Sequence, residues 1–304
     1  MKNYKKTAAI CCLLAVIITA ACRTHFDTTL ASYTVTHSSA AFERGKVLTY
    51  SICGQCHFDK GTRKLIGMQM KDVPGIIGKV YSANITRSKS HGVTVHYTDA
   101  ELRYLLKRGI TRDGRFSEYM LRPNMADADI DAIIVYLRSD DPAVSPGDTT
   151  IGLTHLNFIG KAVMGMKAKP AAFRSDVKLP SESDLAGLGR YLVDNVACYH
   201  CHSKSFNSLN YEHPELSKNY MGGGIKFKNK EGVAIYASNL TPDKQTGIGN
   251  LSKSDFRKAV KDGIGPQGNL HEPMPKFKLL SDKEVDAIYT YLRTIPAKEN
   301  KVGE

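Results

Sequence analysis

Two stretches of the chain carry the same amphipathic stripe. In Asp129–Ser139 (DIDAIIVYLRS) the apolar positions are Ile130, Ile133, Ile134 and Leu137; in Glu284–Thr294 (EVDAIYTYLRT) they are Val285, Ile288, Tyr289 and Leu292. Steps of three and four residues put each set on one face of a helix. Ser281 and Glu284 supply a capping box for the second stripe, and Thr98 with Glu101 and, more weakly, Ser252 with Asp255 open two further helices. Gly109 and Gly263 stand where those helices would end on a left-handed residue. A helix before each cysteine pair carries Gly45 or Gly189, a position where another helix can approach closely. No period-two pattern competes seriously, so the predicted class is all-α. One apolar run stands apart. Ala8–Ala21 (AAICCLLAVIITAA) is uncharged, follows Lys2, Lys5 and Lys6, and is short for a membrane span, which reads as an export signal.

The stripes belong to a longer repeat. GKVLTYSICGQCH from Gly45 matches GRYLVDNVACYHCH from Gly189 with one residue inserted, and YSANITRS from Tyr81 matches YASNLTPD from Tyr236. YTDAELRYLLKRGITRDGRF from Tyr97 matches LSKSDFRKAVKDGIGPQGNL from Leu251, and the two stripes complete the series in the same order. The expected organisation is a signal over 1–21, a Ser/Thr-rich tether over 22–39, a first domain over 40–141, a linker over 142–180 and a second domain over 181–298. Halves of about 100 residues with long loops make small cores, so a large cofactor is expected to fill each. The linker contains apolar LNFIGKAVMGM (Leu156–Met166), so it is expected to pack on a domain, with contact to a partner subunit as the alternative.

Of seven cysteines, Cys11 and Cys12 lie in the signal. ITAAC resembles the lipobox of bacterial lipoproteins, which implies cleavage before Cys22 and a lipid anchor on it. The remaining four, Cys53, Cys56, Cys198 and Cys201, form two Cys-x-x-Cys-His motifs. A dithiol oxidoreductase would place one such pair beside a βαβ pattern, which is absent. A zinc site from Cys198, Cys201, His200 and His202 has no counterpart in the first motif, where Gln55 replaces His200. What the motifs share is Cys, Cys and the final His, the attachment signature of c-type haem. The cysteines would carry two haems through thioethers, with His57 and His202 as proximal iron ligands. Read this way, His200 is incidental and at the surface.

For the far side of the second iron, Met274 in HEPMPKF sits in a loop stiffened by prolines. With one residue deleted Met120 aligns with it, although Leu121 replaces Pro275. Met125 is the runner-up; Met68, Met70, His91 and His96 are more distant alternatives.

The chain thus resembles a tandem class I cytochrome c. Its second half, ASNLTPDKQTGIGNLSKSDFRKAVKDGIGPQGNLHEPMP (Ala237–Pro275), is similar to the cytochrome subunits of membrane-bound alcohol, gluconate and sorbitol dehydrogenases. Asn239, Thr241, Pro242, Asp243, Thr246, Gly247, Ile248 and Gly249 occupy motif positions, with Met274 at the axial methionine; only Asn84, Ile85 and Thr86 of that loop persist in the first half. The family carries three haem domains and this chain two. The resemblance implies an electron carrier on the periplasmic side of a bacterial membrane. Its expected donor is a dehydrogenase, and its acceptor a terminal oxidase or another cytochrome. The rival is a dihaem enzyme, peroxidase-like or thiosulfate-oxidising, with its catalytic centre at the first haem. The formal charge of +12, or +9 once Lys2, Lys5 and Lys6 leave with the signal, suggests acidic protein or anionic lipid partners. An exported chain rarely meets nucleic acid, so none is expected.

Overall fold

The computed structural model describes residues 25–71, 73–148, 151–229 and 232–303. Cys22 and the leader lie outside them. Helix α1 (Ser39–Leu48) opens on Ser38, whose hydroxyl accepts from Ala41 N, and passes through a wider π turn (Thr49–Cys53) into the short α2 (Gly54–His57). Helix α3 (Asp99–Arg108) has the Thr98/Glu101 capping box and stops at Gly109, φ 70°. Helix α4 (Asp127–Leu137) buries all four residues of its stripe. After α5 (Phe158–Lys167), the series recurs: α6 (Leu185–Val196), the short α7 (Cys198–Cys201), α8 (Lys253–Asp262) ending on Gly263 at φ 71°, and α9 (Asp282–Leu292) with the Ser281/Glu284 box. The fold is helix-rich rather than purely helical. Among the described residues it also holds three two-stranded antiparallel ribbons, β1 (Gly78–Lys79) with β2 (His155–Leu156), β3 (Lys226–Lys228) with β4 (Ala234–Tyr236), and β5 (Ile264–Gly265) with β6 (Gly268–Asn269). These strands are too short to show a periodicity.

In each half the first helix crosses the last at its glycine. A Cβ on Gly45 would lie 1.9 Å from Ala132 O, and one on Gly189 would lie 1.9 Å from Ala287 O. Backbone touches backbone at both crossings, so no other residue fits there. The residue inserted before the second motif is accommodated at Ala197, which turns left-handed (φ 64°) and separates α6 from α7.

Two expected boundaries move. Residues 25–37 lack regular structure but are not a free tether: Phe26 N bonds Gly114 O, Tyr33 OH bonds Asp131, and Val35 is buried. Tyr33 and Val35 are apolar in a polar setting, and that cost is recovered by packing. Residues 143–147, assigned to the linker, are stitched into the first half through Leu65 N to Ala143 O and Asn84 Nδ2 to Gly147 O. The rest of the linker packs on the first half and also reaches the second, through Lys167 to Asn207 and Ala172 N to Glu212. β2 pairs with β1, α5 rests its Gly160 on Ile77 O, and Ala171 O accepts from Arg108 Nε.

The halves also lock together. Arg44 reaches Asp129 (2.8 Å) and its repeat counterpart Glu284 (2.5 Å). Helix α4 has Ala126 where α9 has its capping Ser281, and Tyr191 of α6 supplies the missing partner: its hydroxyl accepts from Ala126 N (3.1 Å) and donates to Asp129 (2.7 Å). A capping role usually filled three residues away is thus filled from the other half.

Candidate haem-attachment sites

His57 and His202 are both buried, and their rings are braced identically. Nδ1 of His57 lies 2.6 Å from Ala83 O, and Nδ1 of His202 lies 2.7 Å from Ser238 O. A carbonyl can only accept, so each ring carries its proton on Nδ1 and leaves the Nε2 lone pair for a metal. Burial lowers both imidazole pKa values, which favours the neutral ligand form.

The bracing carbonyls are themselves fixed. Asn84, directly after Ala83, accepts from Thr86 N (2.9 Å) and Thr86 Oγ1 (2.7 Å) and donates to Gly147 O (2.7 Å). Asn239, directly after Ser238, accepts from Thr241 N (2.9 Å) and Oγ1 (2.8 Å) and donates to Lys298 O (2.7 Å). The shared Asn-x-Thr therefore builds a buried turn that aims the carbonyl at the histidine. Its role went unread in the sequence, although its survival in both halves was the available signal. The neighbouring Asp243 closes a further turn by accepting from Thr246 N and Oγ1.

Each cysteine pair lies on one helical turn, and none of the four is in a disulfide. Burial pushes Cys53 up to about 11 and Cys198 up to about 12, the reverse of the activated thiolate a dithiol oxidoreductase needs. Among the described residues no group of three His, Cys, Asp or Glu side chains could hold a metal ion, as a zinc site would require. His200 is not a surface residue. Its ring packs edge-on against Tyr199 (4.6 Å) and Tyr211 (5.1 Å), with Nε2 buried. Two vinyl-reactive thiols and one neutral imidazole per turn fit a covalently held haem.

The distal candidates separate by equivalent bonds. Arg122 N donates to Leu106 O, and Phe277 N to Val260 O; three residues later Met125 N bonds Arg122 O, and Leu280 N bonds Phe277 O. Met125 thus occupies the slot of Leu280, and both are fully buried core residues. Met120 and Met274 lie upstream of these anchors, half-buried and packed against the core. Their loops start at Ser117 and Leu270, which bond Gly109 O and Gly263 O, so residues 118–121 span what residues 271–276 span in the second half. Met68 is tied by its backbone to Ser82, which also bonds Cys56 O, and Met70 bonds Val80 O, placing both on the His57 side. His91 and His96 are exposed.

Each attachment turn meets the other half. Gln55 Nε2 lies 3.3 Å from Val196 O, Arg122 Nε bonds Asn195 O (3.0 Å), and Lys60 pairs with Glu272 (2.5 Å). Arg122 thereby joins the Met120 loop to the end of α6, a link that no sequence motif announced.

Paired thiols beside a braced, neutral imidazole on a helix-rich fold fit covalent haem attachment, and the chain's relatives include cytochrome c subunits of fructose, gluconate and alcohol dehydrogenases. It is 29% identical over 279 residues to the fructose dehydrogenase cytochrome subunit of Gluconobacter japonicus, covering 85% of this chain and 53% of that protein. It is 29% identical over 134 residues to the gluconate 2-dehydrogenase cytochrome c subunit of Pantoea cypripedii, covering 43% of this chain and 28% of that one. The cytochrome c subunit of the quinone-dependent alcohol dehydrogenase of Gluconobacter oxydans (strain 621H) is 33% identical over 106 residues, covering 34% of this chain and 20% of the relative. The chain therefore spans about half the length, or less, of these relatives. No protein-family model matches it.

Proposed function

We propose that the chain is an exported dihaem electron-transfer subunit built from two tandem class I cytochrome c domains. It takes electrons from a dehydrogenase and passes them toward a terminal oxidase or another cytochrome. Cys53 and Cys56 would hold the first haem and Cys198 and Cys201 the second, with His57 and Met120 on one iron and His202 and Met274 on the other. Cys22 would carry the lipid that keeps the protein on the periplasmic face of the membrane. The reading is carried by the doubly repeated brace, His Nδ1 on a carbonyl set by an Asn-x-Thr turn, with Nε2 left for iron.

When bound, the haems supply reversible one-electron chemistry, and methionine ligation raises their potential relative to a second histidine. The chain's own residues fix the tautomer of each proximal histidine, bury both imidazoles and hold the two attachment turns against each other. Arg122 places a positive charge between the Met120 loop and the second attachment turn.

The test is haem stoichiometry and the as-purified spectrum. Two haems per chain, both low-spin, with the Fe(III)–methionine charge-transfer band, support the carrier. The rival haem enzyme is favoured by one observation, the shortened loop around Met120. A high-spin first haem reacting with peroxide would establish that rival. Met274→His should keep the second haem low-spin and lower its potential, and Met120→His should do the same at the first. An unchanged potential would remove that methionine from the ligand set.

A further inference from the structure

Helix α5 wears its apolar stripe on the outside. Phe158, Ile159, Ala162 and Met166 fall within about a third of the helix circumference. Phe158 is 64% and Met166 68% exposed, while Gly160 faces inward against Ile77 O. The stripe continues onto a neighbouring loop through Ile76, 64% exposed and tied to α5 by Asn157 Nδ2 on Ile76 O (2.6 Å). An amphipathic helix on a folded domain ordinarily buries such a stripe; this one buries its glycine.

Along the segment itself the charges have one sign, with Asp176 on Arg174 and Glu118 near Lys167 as acidic neighbours from outside it. From residue 149 to 175 the sequence holds no Asp or Glu, and Lys161, Lys167, Lys169 and Arg174 are its charged residues. Large apolar side chains on a short helix with lysines at its flanks are the pattern of helices that lie in a lipid headgroup layer. The position agrees. Tyr104 on α3 stacks on Phe173, just beyond α5, and its hydroxyl reaches Asp27 O (3.4 Å), five residues after Cys22. The end of the chain that would carry a lipid and the segment leaving α5 therefore share one flank of α3.

We infer that the α5 face is a second membrane contact, seating Phe158, Ile159 and Met166 in an anionic bilayer while the flanking lysines meet its headgroups. The inference rests on the exported placement proposed above. A lipid on Cys22 would tether the protein; the α5 face would set its orientation, holding the first half against the bilayer.

The experiment uses the holo-chain with Cys22→Ser, so that no lipid contributes, and sedimentation with vesicles of phosphatidylcholine alone or mixed with phosphatidylglycerol. The expected result is binding to the anionic vesicles, weakened by salt, and a loss of about tenfold in Phe158→Ser/Met166→Ser. Both side chains point outward, so the haem spectrum of that variant should be unchanged. Failure of the Cys22→Ser chain to bind anionic vesicles at low salt, or undiminished binding by the double variant, would overturn the inference. A double variant that keeps its vesicle binding but no longer copurifies with a dehydrogenase would overturn it in favour of protein docking. The export reading fails separately, if the wild-type chain retains its leader and stays inside the cell.

Discussion

The two distal loops hang from equivalent carbonyls, Gly109 O and Leu106 O in the first half, Gly263 O and Val260 O in the second, yet one is two residues shorter. The longer loop sets Met274 between Pro273 and Pro275; the shorter one winds a 3₁₀ turn over Glu118–Met120 and follows it with Leu121. The proximal sides differ far less: histidine, carbonyl, Asn-x-Thr turn and the tie to the C-terminal segment recur nearly atom for atom. The repeat keeps the carbonyl brace on each histidine and varies the loop that carries the methionine. Two haems so held would share a mode of attachment and differ in potential.

That comparison can be broken most forcefully at the helix crossings. Gly189→Ala should cost about 3 kcal/mol or more, because backbone must retreat from a Cβ that has no room. Gly45→Ala should cost as much, measured by thermal unfolding and haem retention, and tolerance at one crossing alone would show that the halves pack differently.

A difference of charge comes next. Asp194, where the first half has Tyr50, is buried one turn before Cys198 with Arg190 no nearer than 3.9 Å and Glu215 close by, and burial pushes its carboxyl up to about 7. A raised carboxyl pKa means the folded state keeps a proton that the unfolded chain releases. Its stabilising effect is full below about pH 4 and is lost as pH rises to 7. Asp194→Asn should therefore flatten the pH dependence and gain up to about 3 kcal/mol at pH 8, read by denaturant unfolding at pH 5 and pH 8. Equal gains at both pH values would refute this.

The trans cap is a smaller lever. Tyr191→Phe leaves Ala126 N–H and Asp129 short of a partner and should cost about 1–2 kcal/mol, against about 1 kcal/mol for Ser281→Ala in the self-capped half. Smallest of all, Met125→Leu should cost less than about 1.5 kcal/mol and leave the spectrum untouched, since leucine already fills that slot in the other half. Loss of the methionine charge-transfer band in this variant would move the first distal ligand to Met125.

Much of the frame was legible because it depends on local chemistry. The capping pairs Thr98/Glu101 and Ser281/Glu284, the left-handed Gly109 and Gly263 and the stripes of α4 and α9 are decided within a few residues of themselves. Gly45 and Gly189 were legible only as openings; the partners they admit, Ala132 and Ala287, lie nearly a hundred residues away. What stayed hidden needed two distant segments at once. Tyr191 reads as one more core tyrosine until α4 is found without its own cap, and Met125 competes with Met120 until the anchoring bonds are compared. Residues 25–37 looked like a tether because their Ser and Thr content outweighed the two side chains, Tyr33 and Val35, that pin them.

The borrowed cap also sets an order of events. Ala126 and Tyr191 are 65 residues apart, and Tyr191 is the later of the two to be synthesised. The first half therefore emerges with the leading end of α4 unfinished, and completes it only when the second half's opening helix arrives. The second half, capped by its own Ser281, has no such wait. Maturation of this chain is directional: the half that is made first is finished only after the second has begun.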